Sequence, residues 1–297
     1  MTKWQEGENM EKSKKIIAIT GSTGGLGKQI CLKFARHSES LILLDRNLKR
    51  SEEHKKELLE KYPNADIICI PCDLENMDSV DEAVNLLIAY DIDVFVHNAG
   101  AYKIPRHKCS TGYDNVFQIN FASPYYMIKK LMPILKSKKG SVVAVGSVAH
   151  TYSKINPEDI DFSNVNACSK VYGNAKRYLM FGLWELFKDE NDISLSIVHP
   201  GITVTNITAH YPPLLYALIK YPMKVIFMSP KMAALSIIQG VYDKCEYLEW
   251  IGPGLFDVWG LPKKRKLDTA SESERKEIFE ISERVYKAIC EQREKNV

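Results

Sequence analysis

The chain has 297 residues, at the upper end of what one hydrophobic core usually serves. Its residues are 45% hydrophobic and 26% charged, which is ordinary for a globular protein and excludes a disordered or collagen-like chain. A net charge of +3, from 40 basic and 37 acidic side chains, is too balanced to indicate nucleic acid as a partner.

Short apolar runs alternate with amphipathic segments over the first two thirds of the chain. The predicted strands are Ile16–Thr20, Leu41–Leu44, Ile67–Ile70, Val94–Val96, Val142–Val145 and Leu195–Val198. The predicted helices cover roughly residues 25–37, 49–61, 78–90, 113–136 and 165–189. Because strands without polar alternation are buried on both faces, this order predicts a doubly wound α/β fold with a parallel sheet of about seven strands.

The last third departs from this rhythm, but no linker divides the chain. A helix is predicted to begin at Ser229 and Pro230, which form a good N-cap and N1 pair. A seventh strand is predicted near Tyr247–Ile251, and a helix at about 270–293 ends the chain. We therefore predict a polar tail at residues 1–14 and a single domain over 15–297.

Composition also predicts a cytoplasmic location. The longest apolar stretch, residues 214–228, is interrupted by Lys220, Pro222 and Lys224 and falls short of the ~20 residues that span a bilayer. The polar beginning of the chain does not resemble a secretory signal. Seven cysteines, an odd number, do not suggest a disulfide framework, so we expect reduced thiols.

A glycine-rich loop follows the first strand and precedes a helix. Its sequence, TGSTGGLG at residues 20–27, places Gly21, Gly25 and Gly27 around Leu26 in a G-x-x-x-G-x-G spacing. Glycines let the backbone approach a pyrophosphate, and the N–H groups at the start of a helix favour an anion. The loop therefore predicts a dinucleotide site, although a plain strand–helix turn can also be glycine-rich.

The second strand ends at Asp45, where a carboxylate can accept both ribose hydroxyls of adenosine and repels a 2′-phosphate. Arg46 follows directly and can pair with a 2′-phosphate or stack over adenine. We predict NAD as the cofactor, because an unpaired carboxylate beside a phosphate is costly. NADP is the alternative.

Tyr172 and Lys176 are four residues apart in a predicted helix, so their side chains leave the same face one turn apart. A nearby ammonium favours the phenolate and lowers the pKa of tyrosine from about 10. The pair therefore predicts Tyr172 as a general acid/base, although the same spacing occurs by chance in many helices.

Further motifs, taken in chain order from about residue 15 to 205, resemble the short-chain dehydrogenase/reductase family. They are Asp73-Leu74, His97-Asn98-Ala99-Gly100, Asn120, Ser147 and Pro200-Gly201-x-x-x-Thr205, beside the glycine loop and the Tyr172/Lys176 pair. The sequence departs from the family where His97 replaces an Asn and Gly146 replaces a Ser. We expect the turn after strand four to survive, because its last three residues are kept.

The resemblance implies a Rossmann-type oxidoreductase that moves hydride between nicotinamide and a hydroxyl or carbonyl group. Tyr172 would exchange the proton, Ser147 would hydrogen-bond the substrate oxygen, and Lys176 would hold the ribose and lower the Tyr172 pKa. Asn120 would support a proton relay from Lys176 to solvent. The implied cofactor contacts are the glycine-loop residues with Asp45, Arg46, Asp73, Leu74, Asn98, Ala99, Gly100, Tyr172, Lys176, Pro200, Gly201 and Thr205.

The 25-residue spacing between Ser147 and Tyr172, with Ala149-His150, resembles the retinol-dehydrogenase-like branch of the family. That branch implies a hydrophobic alcohol or ketone substrate, such as a retinoid or steroid. Relatives pair through helices corresponding to 113–136 and 165–189, so a homo-oligomer is a further expectation. The alternative function, a catalytically silent cofactor sensor or scaffold, is disfavoured by the complete catalytic set.

Three other features have less specific interpretations. Cys69 and Cys72 are predicted to be structural, and we predict no metal site because no second pair follows at zinc spacing. The basic run 263–266 is predicted to be a solvated loop. The apolar residues 211–228, within a substrate loop at about 202–228, are predicted to cover a hydrophobic substrate; a peripheral membrane patch and simple core are the alternatives.

Overall fold

The computed structural model describes residues 14–37, 39–201 and 228–295. The strands are β1 (Ile16–Thr20), β2 (Ser40–Asp45), β3 (Asp66–Pro71), β4 (Val94–His97), β5 (Ser141–Val145), β6 (Ser194–Val198), β7 (Glu249–Leu255) and β8 (Trp259–Lys266). The α-helices are α1 (Gly25–Arg36), α2 (Leu48–Lys61), α3 (Met77–Ala89), α4 (Asn115–Phe117), α5 (Ser123–Ser137), α6 (Cys168–Leu186), α7 (Pro230–Tyr242) and α8 (Glu272–Lys295). A π-helical turn (Gln118–Ala122) joins α4 to α5, and a 3₁₀ helix (Val148–Tyr152) follows β5.

The described strands form one sheet in the order β3-β2-β1-β4-β5-β6-β7-β8. The first seven strands pair in parallel, which confirms the doubly wound α/β prediction. The eighth strand is a correction, because Lys263–Lys266 belong to β8, antiparallel to β7, and not to a loop. A strand at a solvated sheet edge tolerates lysines. Because strands were predicted from apolar runs, the lysine-rich β8 was not recognised as a strand.

Two hydrophobic clusters lie on opposite faces of the sheet. Helices α3, α5, α6 and α8 contribute to one cluster, and α1, α2 and α7 contribute to the other. Side chains of β1 alternate between them, with Ala18 facing the first cluster and Ile17 and Ile19 facing the second. This burial on both faces explains why the strands are nearly continuous apolar runs.

Neighbouring β1 and β4 have crossovers that leave in opposite directions along the sheet, which opens a crevice at their carboxyl ends. The glycine loop follows β1 and the 98–100 turn follows β4, so both motifs lie at this crevice. The predicted substrate loop up to residue 227, its apolar part and Thr205 lie outside the described residues, as does the predicted tail except Lys14.

Candidate active site

Two glycines shape the loop between β1 and α1. Gly21 has a φ of +69°, and a Cβ added there would lie 3.0 Å from Cα of Ala99. A Cβ added at Gly27 would lie 2.2 Å from the Gly21 carbonyl oxygen. A side chain at position 21 would push the loop away from the turn after β4, and one at position 27 would push the loop away from the first turn of α1.

The start of α1 offers an anion site. Its N-cap, Gly24, makes no side-chain capping bond, and the first turn contains no acidic residue. The first N–H groups of a helix have no intrahelical acceptor and lie at its positive end, so Gly25, Leu26 and Gly27 present donors at the crevice. This cradle of backbone donors fits the pyrophosphate of a dinucleotide.

The turn after β4 survives the replacement of Asn by His97, as expected. The hydroxyl oxygen of Thr20 accepts hydrogen bonds from the backbone N–H groups of Asn98 and Ala99, both at 3.1 Å. The Asn98 amide donates to the carbonyl oxygens of Thr20 and Gly21 at 3.1 and 3.0 Å. Because the Thr20 oxygen already accepts two hydrogen bonds, its hydroxyl donates to Nδ1 of His97 at 3.2 Å. Nδ1 therefore accepts, and the ring proton lies on Nε2. Burial and the Lys176 charge hold the pKa of His97 well below 6.5, so the ring is neutral.

Asp45 has a role that sequence reasoning missed. Its Oδ1 accepts from the backbone N–H and the hydroxyl of Thr23, at 3.1 and 3.0 Å. Its Oδ2 accepts from the hydroxyls of Ser22 and Ser51. The buried carboxylate therefore fixes the glycine loop to β2 and to α2, and both of its oxygens are already hydrogen-bonded. The sequence showed the hydroxyl residues of the loop, but it did not show that they share Asp45 as their hydrogen-bond acceptor.

Arg46 extends into solvent, with 72% of its side chain exposed, and its guanidinium lies 3.7 Å from Glu75. Glu75 also contacts Nε2 of His107 at 2.9 Å. Glu75, His107 and Cys109 bring potential metal ligands within 4.8 Å of one another. However, the Asn115 amide donates to Nδ1 of His107, which puts the ring proton on Nε2, facing Glu75. That N–H···O bond accounts for the approach of His107 to Glu75.

The backbone after β3, where Asp73 and Leu74 are predicted cofactor contacts, is held by hydrogen bonds from neighbouring elements. The carbonyl oxygen of Leu74 accepts from the Ser123 hydroxyl at 2.6 Å and from the Gln118 amide at 3.2 Å. Asp73 accepts from the N–H of Glu75 at 3.1 Å. Leu74 is buried, and burial raises the pKa of neighbouring Cys72 to about 12, as expected of a structural thiol.

The four predicted catalytic residues come from three neighbouring elements. Ser147 caps the 3₁₀ helix after β5, Tyr172 and Lys176 lie one turn apart on α6, and Asn120 lies in the π-helical turn. The Ser147 hydroxyl lies close enough to Tyr172 to lower the pKa of that side chain. The ammonium of buried Lys176 donates to the Val145 carbonyl oxygen at 2.8 Å.

Glycine permits the close contact that joins these elements. A Cβ added at Gly173 would lie 2.3 Å from the Ala149 carbonyl oxygen, so α6 lies directly on the 3₁₀ helix that begins after Ser147. A Cβ added at Gly146 would lie 2.9 Å from the sulfur of Met180. The second contact explains the departure from the family at Gly146, because a serine there would crowd Met180 unless the methionine moved.

Asn120 lies in a π-helical turn instead of regular α-helix, and such turns are frequent at functional sites. Its amide donates to the carbonyl oxygens of Ala101 and Val116 at 2.9 and 2.8 Å. Its oxygen accepts from the N–H of Ala101 at 3.3 Å. A Cβ added at Gly100 would lie 2.9 Å from that oxygen and 3.8 Å from the Lys176 nitrogen, so Asn120 fixes the segment beside Lys176.

The comparison with known protein families matches the segment that contains the motifs described above. The short chain dehydrogenase family model matches residues 15–213, which contain every described motif except the C-terminal elements. The chain belongs to the short-chain dehydrogenase family. It is therefore an oxidoreductase that acts on the CH–OH group of small alcohols or on the corresponding ketones with a nicotinamide cofactor.

Similar sequences include relatives from several branches. "Short-chain dehydrogenase TIC 32 A, chloroplastic" of Brassica napus is 28% identical over 216 residues, which cover 67% of each chain. Retinol dehydrogenase 12 of Mus musculus is 24% identical, covering 67% of this chain and 65% of its own. This likeness and that to retinol dehydrogenases 13 and 14 confirm the retinol-dehydrogenase-like resemblance. The match spans only 48% of the human WW domain-containing oxidoreductase.

Solved structures show the same fold. A crystal structure of an uncharacterized protein from Mycobacterium paratuberculosis superposes with a TM-score of 0.73 and 19% identity, covering 92% of this chain and 93% of the other. A short-chain dehydrogenase from Sphingobium yanoikuyae in complex with NADPH gives a TM-score of 0.57 at 19% identity, covering 76% and 84%. Among the described helices, none is long and apolar enough to cross a membrane.

Burial dominates the protonation of Tyr172 and Lys176. It raises the pKa of Tyr172 to about 12, partly offset by the nearby Ser147 hydroxyl. It lowers the pKa of Lys176 to about 7. The net rise in the pKa of Tyr172 reflects the loss of hydration, so the expectation that Lys176 lowers that pKa stays a prediction. The Lys176 ammonium lies 5.8 Å from the centre of the Tyr172 ring.

His150 connects the predicted catalytic serine to the C-terminal part of the chain. Its Nδ1 donates to the Ser147 carbonyl oxygen at 2.7 Å, and its Nε2 accepts from the Thr269 hydroxyl at 2.8 Å. Arg177 donates to the carbonyl oxygens of His150 and Thr269 and pairs with Glu274 at the start of α8. The sequence marked His150 only as a feature of the family branch, because its partners are distant along the chain.

At the end of β6, Gly201 has a φ of +78°, and a Cβ there would lie within 2.9 Å of Met228, Pro253 and Val258. The segment of predicted cofactor contacts at Pro200 and Gly201 therefore begins in a crowded turn that requires glycine. Pro200 is half-buried at the carboxyl edge of the sheet.

Proposed function

We propose that the protein interconverts a hydrophobic secondary alcohol and its ketone, with Tyr172 as the group that exchanges the proton. The observation that carries this proposal is the close packing of α6 on the 3₁₀ helix after Ser147, which brings Tyr172 near the Ser147 hydroxyl and the buried Lys176. In reduction, Tyr172 donates its proton to the carbonyl oxygen while the Ser147 hydroxyl holds that oxygen. In oxidation, the same proton moves from the substrate hydroxyl to Tyr172.

The protonation states support this assignment of roles. With a pKa of about 12, Tyr172 is protonated at neutral pH and ready to act as the acid in reduction. Lys176, with a pKa of about 7, can hold or release a proton near neutrality. Asn120 fixes the backbone beside that ammonium, which supports its place at the start of a proton path.

The cofactor would be held by the donors of the crevice. Gly21, Gly25, Leu26 and Gly27 would surround its pyrophosphate, Leu74 and the 98–100 turn would line its adenosine half, and Lys176 would hold the nicotinamide ribose. When bound, the cofactor supplies the hydride acceptor or donor and a positive ring that favours the phenolate of Tyr172.

For the cofactor we propose NAD over NADP. Glu75 already pairs with the exposed guanidinium of Arg46, so a 2′-phosphate would have to displace Glu75 to bind there. Glu75→Gln should therefore tighten NADPH binding a few-fold while NADH binding changes little, measured by fluorescence titration. Glu57→Gln, which alters an exposed pair with Lys28, is the control. Equal tightening of both cofactors, or no change in NADPH binding, would contradict this role of Glu75.

The hydrophobic substrate is proposed from two observations. Tyr102 packs edge-to-face on Tyr172, with ring centres 5.3 Å apart, and gives the reacting hydroxyl an aromatic wall. The similar proteins named retinol dehydrogenase belong to a branch in which such substrates are expected.

The central test removes one hydroxyl group. Tyr172→Phe should reduce kcat at least about a hundredfold while NADH binding stays within about twofold, because general acid/base groups contribute about 10²–10⁴ in rate. Tyr152→Phe, on the exposed side of the adjacent 3₁₀ helix, should behave as wild type. Near-full activity of Tyr172→Phe would refute the mechanism, and wild-type protein that binds cofactor without turning over any alcohol would favour the silent sensor.

A further inference from the structure

The hairpin formed by β7 and β8 carries an unusual concentration of exposed apolar side chains at its tip. Phe256 is 82% exposed, and Leu255, Trp259 and Leu261 are each more than half exposed. Together they are four of the five large apolar side chains that exceed half exposure among the described residues. Such a patch on a protein surface indicates an interaction site.

The tip is a tight turn that exposes its phenylalanine. The N–H of Val258 donates to the Leu255 carbonyl oxygen at 3.1 Å, and Phe256 and Asp257 have φ values of +52° and +56°. This is the geometry of a type I′ turn, which normally selects Asn or Gly and disfavours a bulky Phe. Asp257 anchors the turn through an ion pair with Arg265 and a carbonyl oxygen that accepts from His199 at 3.0 Å.

Positive charge lies directly behind the apolar tip. Along β8, Trp259, Leu261 and Lys263 are exposed and Gly260 and Pro262 between them are half-buried, so an ammonium group follows the apolar side chains. Lys264 and Lys266 are exposed farther along the same strand. Residues 255–266 thus carry four cations against one carboxylate, Asp257.

We propose that this hairpin tip docks onto an anionic phospholipid surface. Phe256, Trp259 and Leu261 would enter the boundary between headgroups and acyl chains, and the lysines would contact the lipid phosphates. Charge selects this occupant over a second copy of the chain, because a symmetric contact between two tips would bring the same cations together. An anionic lipid surface complements both the apolar and the basic part.

The location of the tip gives docking a consequence for the active site, a step that rests on the proposed function. A Cβ at Gly201 would lie 2.9 Å from the Val258 carbonyl oxygen, so the tip stands beside the turn that follows β6. That turn lies at the carboxyl edge of the sheet, as the catalytic cluster does. Docking would therefore turn this edge toward the lipid from which a hydrophobic alcohol would come.

The test is flotation of the full chain with vesicles of phosphatidylcholine, with or without phosphatidylglycerol. Wild type should float with the anionic vesicles. Phe256→Ser combined with Trp259→Ser should lower this partition about tenfold or more, as expected from the apolar area removed. Lys263→Glu combined with Lys264→Glu should lower it by a similar factor, because each cation near an anionic surface contributes about 1 kcal/mol. Leu86→Ser, an exposed apolar change on α3, is the control.

Three results would overturn the proposal. Vesicle partition that the tip variants leave unchanged would show that another surface binds lipid or that none does. An oligomer that dissociates in the Phe256→Ser/Trp259→Ser variant, without wild-type flotation, would assign the tip to a second copy. A fall in thermal stability of that variant without wild-type flotation would show that the tip packs within the chain. Tyr172→Phe should float as wild type, so a failed catalytic proposal stays distinguishable.

Discussion

The two sides of the crevice are built from different kinds of interaction. On the glycine-loop side, backbone N–H groups form the site, and a single buried carboxylate, Asp45, holds the loop through hydroxyl groups. On the α6 side, buried ionisable side chains form the site, and their protonation is set by lost hydration. The glycine-loop side depends on the position of its backbone, whereas the α6 side depends on the position and on the protonation of its side chains. We therefore expect substitutions on the first side to alter cofactor binding and substitutions on the second to alter turnover.

The largest effects should come from the two crowded glycines. Gly27→Ala places a Cβ 2.2 Å from a backbone oxygen, and displacing the loop at a cost of about 1–3 kcal/mol would weaken NADH binding about tenfold to a hundredfold. Gly173→Ala should leave NADH binding within a few-fold but lower kcat about a hundredfold, because it moves Tyr172 away from Ser147. Fluorescence titration and steady-state kinetics measure the two quantities.

Gly112→Ala strains the backbone, because φ there is +85°, but its added Cβ meets no atom within 4 Å. Since Gly27 and Gly173 are helical, this control shows whether a general loss of stability lowers binding or turnover. If Gly173→Ala lost cofactor binding and turnover equally, the two sides would not be separable.

The next effect concerns stability and pH. Burial lowers the pKa of His199 from 6.5 to about 4, and its Nε2 donates to the Asp257 carbonyl oxygen. Between these values the unfolded chain binds more protons than the folded one, so the free energy of unfolding rises with pH. This contribution is fully present above pH 6.5, and about 2 kcal/mol of it is lost at pH 5. Urea denaturation at both pH values measures it.

His199→Gln removes the titrating ring and should flatten this slope by about that amount, even if the variant is less stable at neutral pH. An unchanged slope would assign the acid sensitivity to other buried histidines, such as His150, whose pKa burial also lowers.

The smallest effect tests the link between the catalytic serine and the C-terminal region. Thr269→Val keeps the shape but removes the donor to Nε2 of His150, at a cost of about 1–2 kcal/mol in stability. Because Nδ1 still donates to the Ser147 carbonyl oxygen, kcat should fall only a few-fold. Thr151→Val, at an exposed hydroxyl that donates to the Val148 carbonyl oxygen, is the control. A hundredfold loss of kcat would give Thr269 a larger role in positioning Ser147.

Local pattern determined much of the framework. The continuous apolar strands, the glycine loop and the Ser229–Pro230 helix start could be predicted because each depends on neighbouring residues or on a short periodicity. The predicted C-terminal helix at about 270–293 corresponds to Glu272–Lys295, since its apolar positions recur at helical spacing. The order of the motifs along the chain then indicated the family.

Tertiary structure decided what depends on distant partners or on burial. Strand β8 is polar in sequence and forms because β7 offers its free edge. Ser51 and Thr23 meet at Asp45, and Thr269 meets His150 across 119 residues, which no local pattern encodes. Sequence spacing placed Tyr172 beside Lys176, but only the folded surroundings, by removing water, decided that the pKa of the tyrosine rises instead of falling.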